Sequence, residues 1–396
     1  MEFSQYNVNT LMEITSRPDL VFVRGEGSWL EDNTGKRYLD FIQGWAVNCL
    51  GHGAPEMLRA LNEQGAKLIN PSPAYYNEPS LQLAQRLTKA SVFDRVFFAN
   101  SGAEANEGAI KLARKWGRVN RNGAYKIITM NHSFHGRTLA TMSASGKPGW
   151  DKMFAPQVDG FPKGELNDLE SVRKLIDAQT VAVMLEPVQG EGGVIPATVE
   201  FMQGLRKLAD QHGILLIVDE VQTGMGRIGT MFGYQQYGIT PDIMTLGKGI
   251  GGGVPLAALL ARQDISVFSH GEQGGTYNGN PLMTAVGVAV FDVLNAPGFL
   301  DTVQARGRQL SEGLLKLSAK WGMRGERGAG LLRALVMDRD DGPAIVDAAR
   351  KLEPQGMLLN APRANLLRFM PALNVTEQEI DLMLETLDGV IAAMRG

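Results

Sequence analysis

The sequence predicts an α/β protein, with a large domain over residues 51–295 built on a mostly parallel central sheet and a smaller α+β domain built from 1–50 and 296–396. Three observations predict it. Through the middle of the chain short apolar runs (VFFAN, KIITM, VAVMLE, ILLIVDE, DIMTL, PLAALLA) alternate with helical patterns, the rhythm of strand–helix–strand units in a parallel sheet. The run at 214–218 is apolar at every position, as a strand covered on both faces must be. Beyond 295 the rhythm changes to helix, short strands and helix.

In chain order, VFVRGEGSWLEDNTGKRYLDFIQG alternates apolar and polar residues around Asp32, Asn33, Thr34 and Gly35, a hairpin signal. LGHGAPEM breaks that pattern and leads into a helix from 55 to about 67. FFANSGAEANEGAIKLARKW reads as strand, cap and helix, with Ser101 and Glu104 in the S-x-x-E capping pattern. After 295 come a helix over about 298–321, the strands LLRALVM and NLLRFM, and an amphipathic helix opened by Thr376 and Glu379 in a second capping pattern. The N-terminal hairpin is expected to pack with this last unit.

Composition narrows the function. Hydrophobic residues make up 44% and charged residues 20% of the 396, a globular profile without a disordered signature. A net charge of −3 leaves no electrostatic footprint for nucleic acid, and no basic amphipathic helix suits a membrane surface. No apolar run reaches the ~18 residues of a spanning helix, and MEFSQYNVNT has no charged region followed by an apolar core. The single cysteine, Cys49, fits a reducing compartment, and a cytoplasmic protein is expected. His132 and His135 have no further partners at ligand spacing, so no metal site is expected.

The chemistry concentrates in 214–253. The first apolar run ends in Asp219 and Glu220, a glycine-punctuated loop follows, and a second run delivers Lys248 between Gly247 and Gly249. An acid and a lysine ending neighbouring buried strands would meet at the carboxyl edge of the sheet, where open α/β sheets bind ligands. The pair suits pyridoxal 5'-phosphate: Lys248 as the Schiff-base lysine, Asp219 stabilising a protonated ring nitrogen. Taken singly, Asp219 is equally a turn cap and Lys248 a solvated loop lysine. Gly102 and Ala103 carry little bulk, so the first amides of their helix can meet a phosphate, or the segment is an ordinary capped helix. NHSFHGRT brings Phe134, able to stack on a flat ring or fill the core, and Arg137, able to grip a carboxylate or pair at the surface. LEPVQGEGGV ends a strand in Glu186 and offers Gln189 and Glu191. Arg368 sits inside the apolar run NLLRFM, either partnered within the protein or snorkelling from an edge strand. GGTYNGNPL is a glycine-rich loop with a hydroxyl at Thr276.

Together these segments resemble the class III, ornithine-type aminotransferases of the fold-type I pyridoxal-phosphate enzymes, from VFVRGEGSWLEDNTGKRYLDF to LRFMPALNVTEQEID, most specifically in DEVQTGMGRIG and TLGKGIGGG. The resemblance implies Lys248 and Asp219 as catalytic residues, and Val221 and Phe134 on the two faces of the ring. It also implies Gln222 near the ring's phenolic oxygen, Ser101, Gly102 and Ala103 at the phosphate, and Thr276 reaching the phosphate across a homodimer interface. GEGSWLEDNTGKRYLDF, the tyrosine pair in AYYNEP and SFHGRT are most similar to the N-acetylornithine branch, which acts in arginine biosynthesis. For small amino-acid and 2-oxo-acid substrates the likeness implies Arg137, Arg368, Glu191, Tyr75 and Gly275, with Glu191 pairing Arg368 when no carboxylate does. Four positions depart from the usual pattern: Gly275 for a serine or threonine, Asn278 for a glycine, Ile228 for a threonine, and His132 for a glycine. Ornithine, succinylornithine, succinyldiaminopimelate and 4-aminobutyrate aminotransferases are the alternatives within the family. A non-catalytic pyridoxal-phosphate-binding regulator is the alternative of another class, and one that would more readily carry a DNA-binding appendage or lack Lys248.

Overall fold

A computed structural model describes residues 6–396; the first five residues of the expected small domain and of the N-terminal segment lie outside the described residues. The core is a seven-stranded sheet in the spatial order Arg95–Ala99, Ala257–Ala261, Ile243–Leu246, Leu215–Asp219, Thr180–Leu185, Lys126–Met130, Lys163–Gly164. Its strands run parallel except Ala257–Ala261, which is antiparallel to both neighbours. Leu215–Asp219 lies near the middle, paired with Ile243–Leu246 on one side and Thr180–Leu185 on the other. All five of its residues are buried, which is why the run carries no polar alternation. Asp219 pairs in register with Thr245, so the two strands deliver their terminal residues to one edge.

The helix Gly102–Asn120 follows the first strand of this sheet and buries Ala105, Ala109, Leu112 and Ala113 against it. Its start has the expected form. Ser101 Oγ accepts from the Glu104 amide at 3.3 Å, and Glu104 Oε2 accepts from the amides of Asn100 and Ser101 at 2.7 and 3.0 Å. The final helix, Glu377–Arg395, is capped by Thr376 and Glu379 in the same way.

Two four-stranded sheets flank the core. One joins the hairpin strands Trp29–Asp32 and Arg37–Asp40 to Phe22–Glu26 and, in parallel, to the C-terminal strand Gln355–Leu358. Asp32 Oδ1 organises the hairpin turn by accepting from the Thr34 amide, the Thr34 hydroxyl and the Lys36 amide. The other orders Gly325–Ala329, Leu332–Val336, Leu366–Phe369 and Asn360–Arg363. The sequence predicts only two of these strands, LLRALVM and NLLRFM. GERGA and NAPR carry glycine, proline and arginine and no apolar alternation; they become strands by pairing with apolar neighbours, a tertiary effect.

Between the first flanking sheet and the site lies a turn in which Gln43, Gly44, Trp45 and Ala46 all have positive φ (47°, 62°, 61°, 65°). Consecutive left-handed residues other than glycine cost about 1–2 kcal/mol each. Asp40 Oδ1 holds the entry by accepting from the amides of Ile42 and Gln43 at 2.8 and 3.0 Å. Ala46 then packs with Val188, Val194 and Met370, while Trp45 faces outward. Among the described residues no single helix is long and apolar enough to cross a membrane.

Candidate active site

At the carboxyl edge of the large sheet a cavity of about 250 Å³ is lined by Gly102, Ala103, Phe134, Arg137, Glu191, Asp219, Val221, Gln222 and Lys248, with Asn106, His135 and Glu186 between them. Nine residues singled out from the sequence therefore share one space. They come from four strand ends and the first turn of one helix.

Lys248 opens a single 3-10 turn after Ile243–Leu246 and holds φ at 46°, a left-handed strain of the kind found where tertiary structure overrides local preference. Gly247, beside it, is tightly placed: a Cβ there would lie 3.0 Å from Val221 Cγ1 and 3.3 Å from Gly102 Cα. Gly102 is under the same constraint, with Val221 Cγ1 at 2.7 Å from an added Cβ. Burial pushes the Lys248 amine below the ordinary lysine range; Glu191 opposes this and Arg368 adds to it.

Asp219 is 3% exposed. Oδ2 accepts from Asn106 Nδ2 and meets His135 Nδ1, each at 2.8 Å, and Oδ1 accepts from the Val221 amide at 3.0 Å. Thr245 Oγ1 donates to Asn106 Oδ1 at 2.7 Å and so fixes the amide's orientation. These contacts fix the position and orientation of the carboxylate. Glu186 ends the adjacent strand: burial, together with Asp219, pushes its carboxyl well up. Its Oε1 accepts from the Phe134 amide at 2.9 Å and so secures the aromatic loop.

Asn106 and His135 were missed as partners of Asp219. A signal for Asn106 existed: it lies four residues after Gly102 and so on the same face of the helix. For His135 the sequence carries no such signal: its spacing from His132 bears only on metal binding, and its contact with Asp219 joins residues 84 positions apart.

Gln222 is 7% exposed, and neither polar atom of its amide has a partner. It lies over Gly190, where an added Cβ would fall 1.4 Å from Gln222 Oε1. A buried amide left unpaired in a cavity wall is costly unless a ligand meets it. Gly102 and Ala103, which open the helix Gly102–Asn120, line the cavity, and the first amides of a helix lie outside its own ladder, a fit for an anion. A flat, phosphate-bearing group with a polar ring substituent matches this donor set.

Arg368 is not an edge residue. Its strand lies between two others, and the side chain is 1% exposed. It donates to Glu191 Oε1 at 2.7 Å and to Asn360 Oδ1 at 2.9 Å. Burial works to raise the Glu191 carboxyl, and the Arg368 guanidinium outweighs it, holding the group below the usual carboxylate range. Arg137 is exposed, with its guanidinium 5.6 Å from the Trp150 ring centre. The same tryptophan meets Phe134 edge-on at 5.6 Å.

Tyr75, Gly275 and Thr276 do not join this cavity within one chain: all three are exposed, Tyr75 by 71%. Two of the unusual positions prove to be one feature, because a Cβ at Gly275 would lie 2.7 Å from Asn278 Nδ2. Asn278 fills the space that a serine at 275 would need, and it ties the loop to the helix start through Asn100 at 2.7 Å. His132 has φ 63°, which accounts for the glycine common there.

The profile of the class-III aminotransferases matches residues 13–391. Over 395 residues, and the full length of both proteins, the chain is 80% identical to acetylornithine aminotransferase 2 of Bordetella pertussis. The crystal structure of N-acetylornithine aminotransferase from Stenotrophomonas maltophilia superposes with a TM-score of 0.83 at 37% identity, covering 96% of this chain and 97% of that one. An amine transaminase from an uncultivated Pseudomonas species, described as PLP-bound, superposes with a TM-score of 0.89 at 30% identity, covering 96% and 97%.

Proposed function

The chain belongs to the class-III aminotransferases, with their fold-type I architecture, and from that premise we propose that it moves the δ-amino group of N2-acetyl-L-ornithine to 2-oxoglutarate. The products are N-acetylglutamate 5-semialdehyde and glutamate, a step of arginine biosynthesis. One observation carries the reading: a single cavity presents the amine of Lys248 and the anion of Asp219, with Arg137 on its wall and Arg368 behind Glu191. The full-length relationship to acetylornithine aminotransferases supports the choice of donor.

Pyridoxal phosphate, when bound, supplies a carbonyl that takes the amine and a ring that draws electrons from the substrate carbon. The residues fit it. Ser101, Gly102 and Ala103 would hold the phosphate, Phe134 and Val221 the ring faces, and Gln222 the phenolic oxygen. Asp219, fixed by Asn106, His135 and the Val221 amide, would pair its carboxylate with the protonated ring nitrogen. Lys248 would hold the cofactor through its amine and, once released, would take a proton from the substrate carbon at Nζ; its lowered basicity keeps more of the free amine able to accept.

Two arginines let one site serve two substrates. Arg137 would hold the α-carboxylate of the ω-amine donor, far from the reacting carbon. Glutamate would place one carboxylate on Arg368 and the other near Arg137. Glu191 neutralises Arg368 while the donor's apolar chain faces it, and yields to glutamate. Tyr75 and Gly275 would complete the substrate end.

We also propose a homodimer in which Thr276 reaches the partner's phosphate site, since it is exposed and outside its own chain's cavity. The division into a large domain (51–295) and a small one (1–50 and 296–396) belongs to the same reading. So does a cytoplasmic location, supported by the free, buried thiol of Cys49.

The test is the visible absorbance of the cofactor-loaded protein. N-acetylornithine should bleach it and 2-oxoglutarate restore it, while ornithine and 4-aminobutyrate act far more slowly. Bleaching by N-succinylornithine alone would move the assignment to that donor. A protein with no visible band after addition of the cofactor would overturn the reading.

A further inference from the structure

Lys163 stands outside the cavity, on the two-residue strand Lys163–Gly164 beside Lys126–Met130. Among the described residues no carboxylate lies within ion-pair distance of it. Its ammonium instead donates three hydrogen bonds, to Thr129 Oγ1 at 2.7 Å, Ser143 O at 2.7 Å and Ala144 O at 2.8 Å. The ammonium meets all three with its three donors; burial pushes the amine down to about 7, and the neutral form still donates to both carbonyls while accepting from the Thr129 hydroxyl.

Two of the acceptors are the last carbonyls of the helix Leu139–Ala144, the end where a cation is favoured. That helix is capped by Thr138, directly after Arg137. The residues just past its end then clamp the loop that precedes it. Ser145 Oγ accepts from the His135 amide at 2.8 Å, Gly146 donates to Ser133 Oγ and Ser133 O at 3.1 Å, and the His132 amide donates to Gly146 O at 2.9 Å. Residues 132–146 therefore close on themselves. Lys163 joins the closure to the sheet, through the helix end on one side and Thr129 on the other.

We propose that Lys163 is a positioning residue: by tying the end of Leu139–Ala144 to the sheet it sets the loop that presents Phe134, His135 and Arg137 to the cavity. The inference rests on the aminotransferase reading for its effect on substrates, since Arg137 is the carboxylate-binding group of that loop. Its direct effect on the loop does not depend on that reading.

The test uses the cofactor-loaded protein and two substitutions, Lys163→Met and Lys163→Gln, with hydrogen exchange and steady-state kinetics as readouts. Lys163→Met should speed amide exchange within 132–146 by about five- to tenfold and raise KM for N-acetylornithine and 2-oxoglutarate by a similar factor. Its kcat should fall by less than KM rises, because Lys248 stands on another strand and Asp219 keeps Asn106 and the Val221 amide when His135 loosens. Lys163→Gln keeps an N–H donor and should fall between the two; it carries the measurement if the methionine variant does not fold. Unchanged exchange in 132–146 would overturn the proposal, and so would a KM unchanged for both substrates. Absence of transamination by the unaltered protein would overturn the function instead, leaving the exchange rates to judge the tether.

Discussion

The guanidinium of Arg368 donates to Glu191 at 2.7 Å, a bond between a strand side chain that is 1% exposed and a loop side chain that is 34% exposed. The strand residue is fixed and the loop residue is at the cavity edge, so the acid is the partner that can leave. Glu191→Ala strands a buried charge with only Asn360 beside it, a costly state when no carboxylate is bound. The N-acetylornithine half-reaction should slow by about tenfold or more, and the glutamate half-reaction, which brings its own carboxylate, by less than about threefold. Single-turnover rates measured separately for the two halves decide it; equal losses would sink the gate.

Lys248→Ala should abolish turnover and the visible band of the lysine-bound cofactor together, since no other amine lines the cavity. Measurable transamination by this variant would refute the role of Lys248.

Asp219→Asn keeps the size of the side chain and removes its charge. Asn106, His135 and the Val221 amide would then donate toward a group unable to offset a ring cation. We expect kcat to fall by about a hundredfold or more at saturating cofactor. A smaller loss would mean that ring protonation does not limit the reaction.

Thr276 can be tested by mixing subunits. Thr276→Ala should bind the cofactor weakly and Lys248→Ala should be inactive, yet a mixed dimer contains one site with both residues intact. Recovery of activity on refolding the two together supports a shared site. No recovery in dimers shown to be mixed argues that Thr276 serves its own chain or none.

Glu220 predicts a pH dependence of stability rather than activity. Burial pushes its carboxyl up to about 7, against the pull of the Gly233 and Tyr234 amides that donate to it. A carboxyl raised in the folded state contributes stability that is complete below its unfolded value near 4.5 and is lost as pH rises through about 7. The window amounts to at most about 3 kcal/mol. Urea midpoints taken from pH 4.5 to 7.5 should decline across it, and Glu220→Gln should flatten this component while lowering stability overall. An unchanged slope in that variant would rule Glu220 out as its source.

Local rules read well from this chain. Both capping boxes and the Asp32 turn form as their patterns demand, because each needs only residues a few positions apart. Glycines at 102, 190 and 247 could be noted but not explained; their reason is the volume of Val221 and Gln222, which other segments bring to them. The strands Gly325–Ala329 and Asn360–Arg363 were invisible because pairing, not propensity, makes them. The left-handed turn at Gln43–Ala46 runs against the preference of three of its four residues, and no local signal announces it.

By itself the sequence determined the strand–helix alternation of the large sheet, the acid and the lysine that end neighbouring buried runs, and the likeness that names their chemistry. Those depend on side-chain period, on capping and on residue identity at fixed spacing. Only the tertiary structure decided how Asp219 is held, that Arg368 meets Glu191, and that Lys163 braces the Arg137 loop. It also decided that Tyr75, Gly275 and Thr276 stay outside the cavity of their own chain. Apart from the local bond of the Val221 amide to Asp219, the contacts behind these relationships join residues from 19 to 177 positions apart. Their geometry follows from sheet order and packing, which no local pattern encodes.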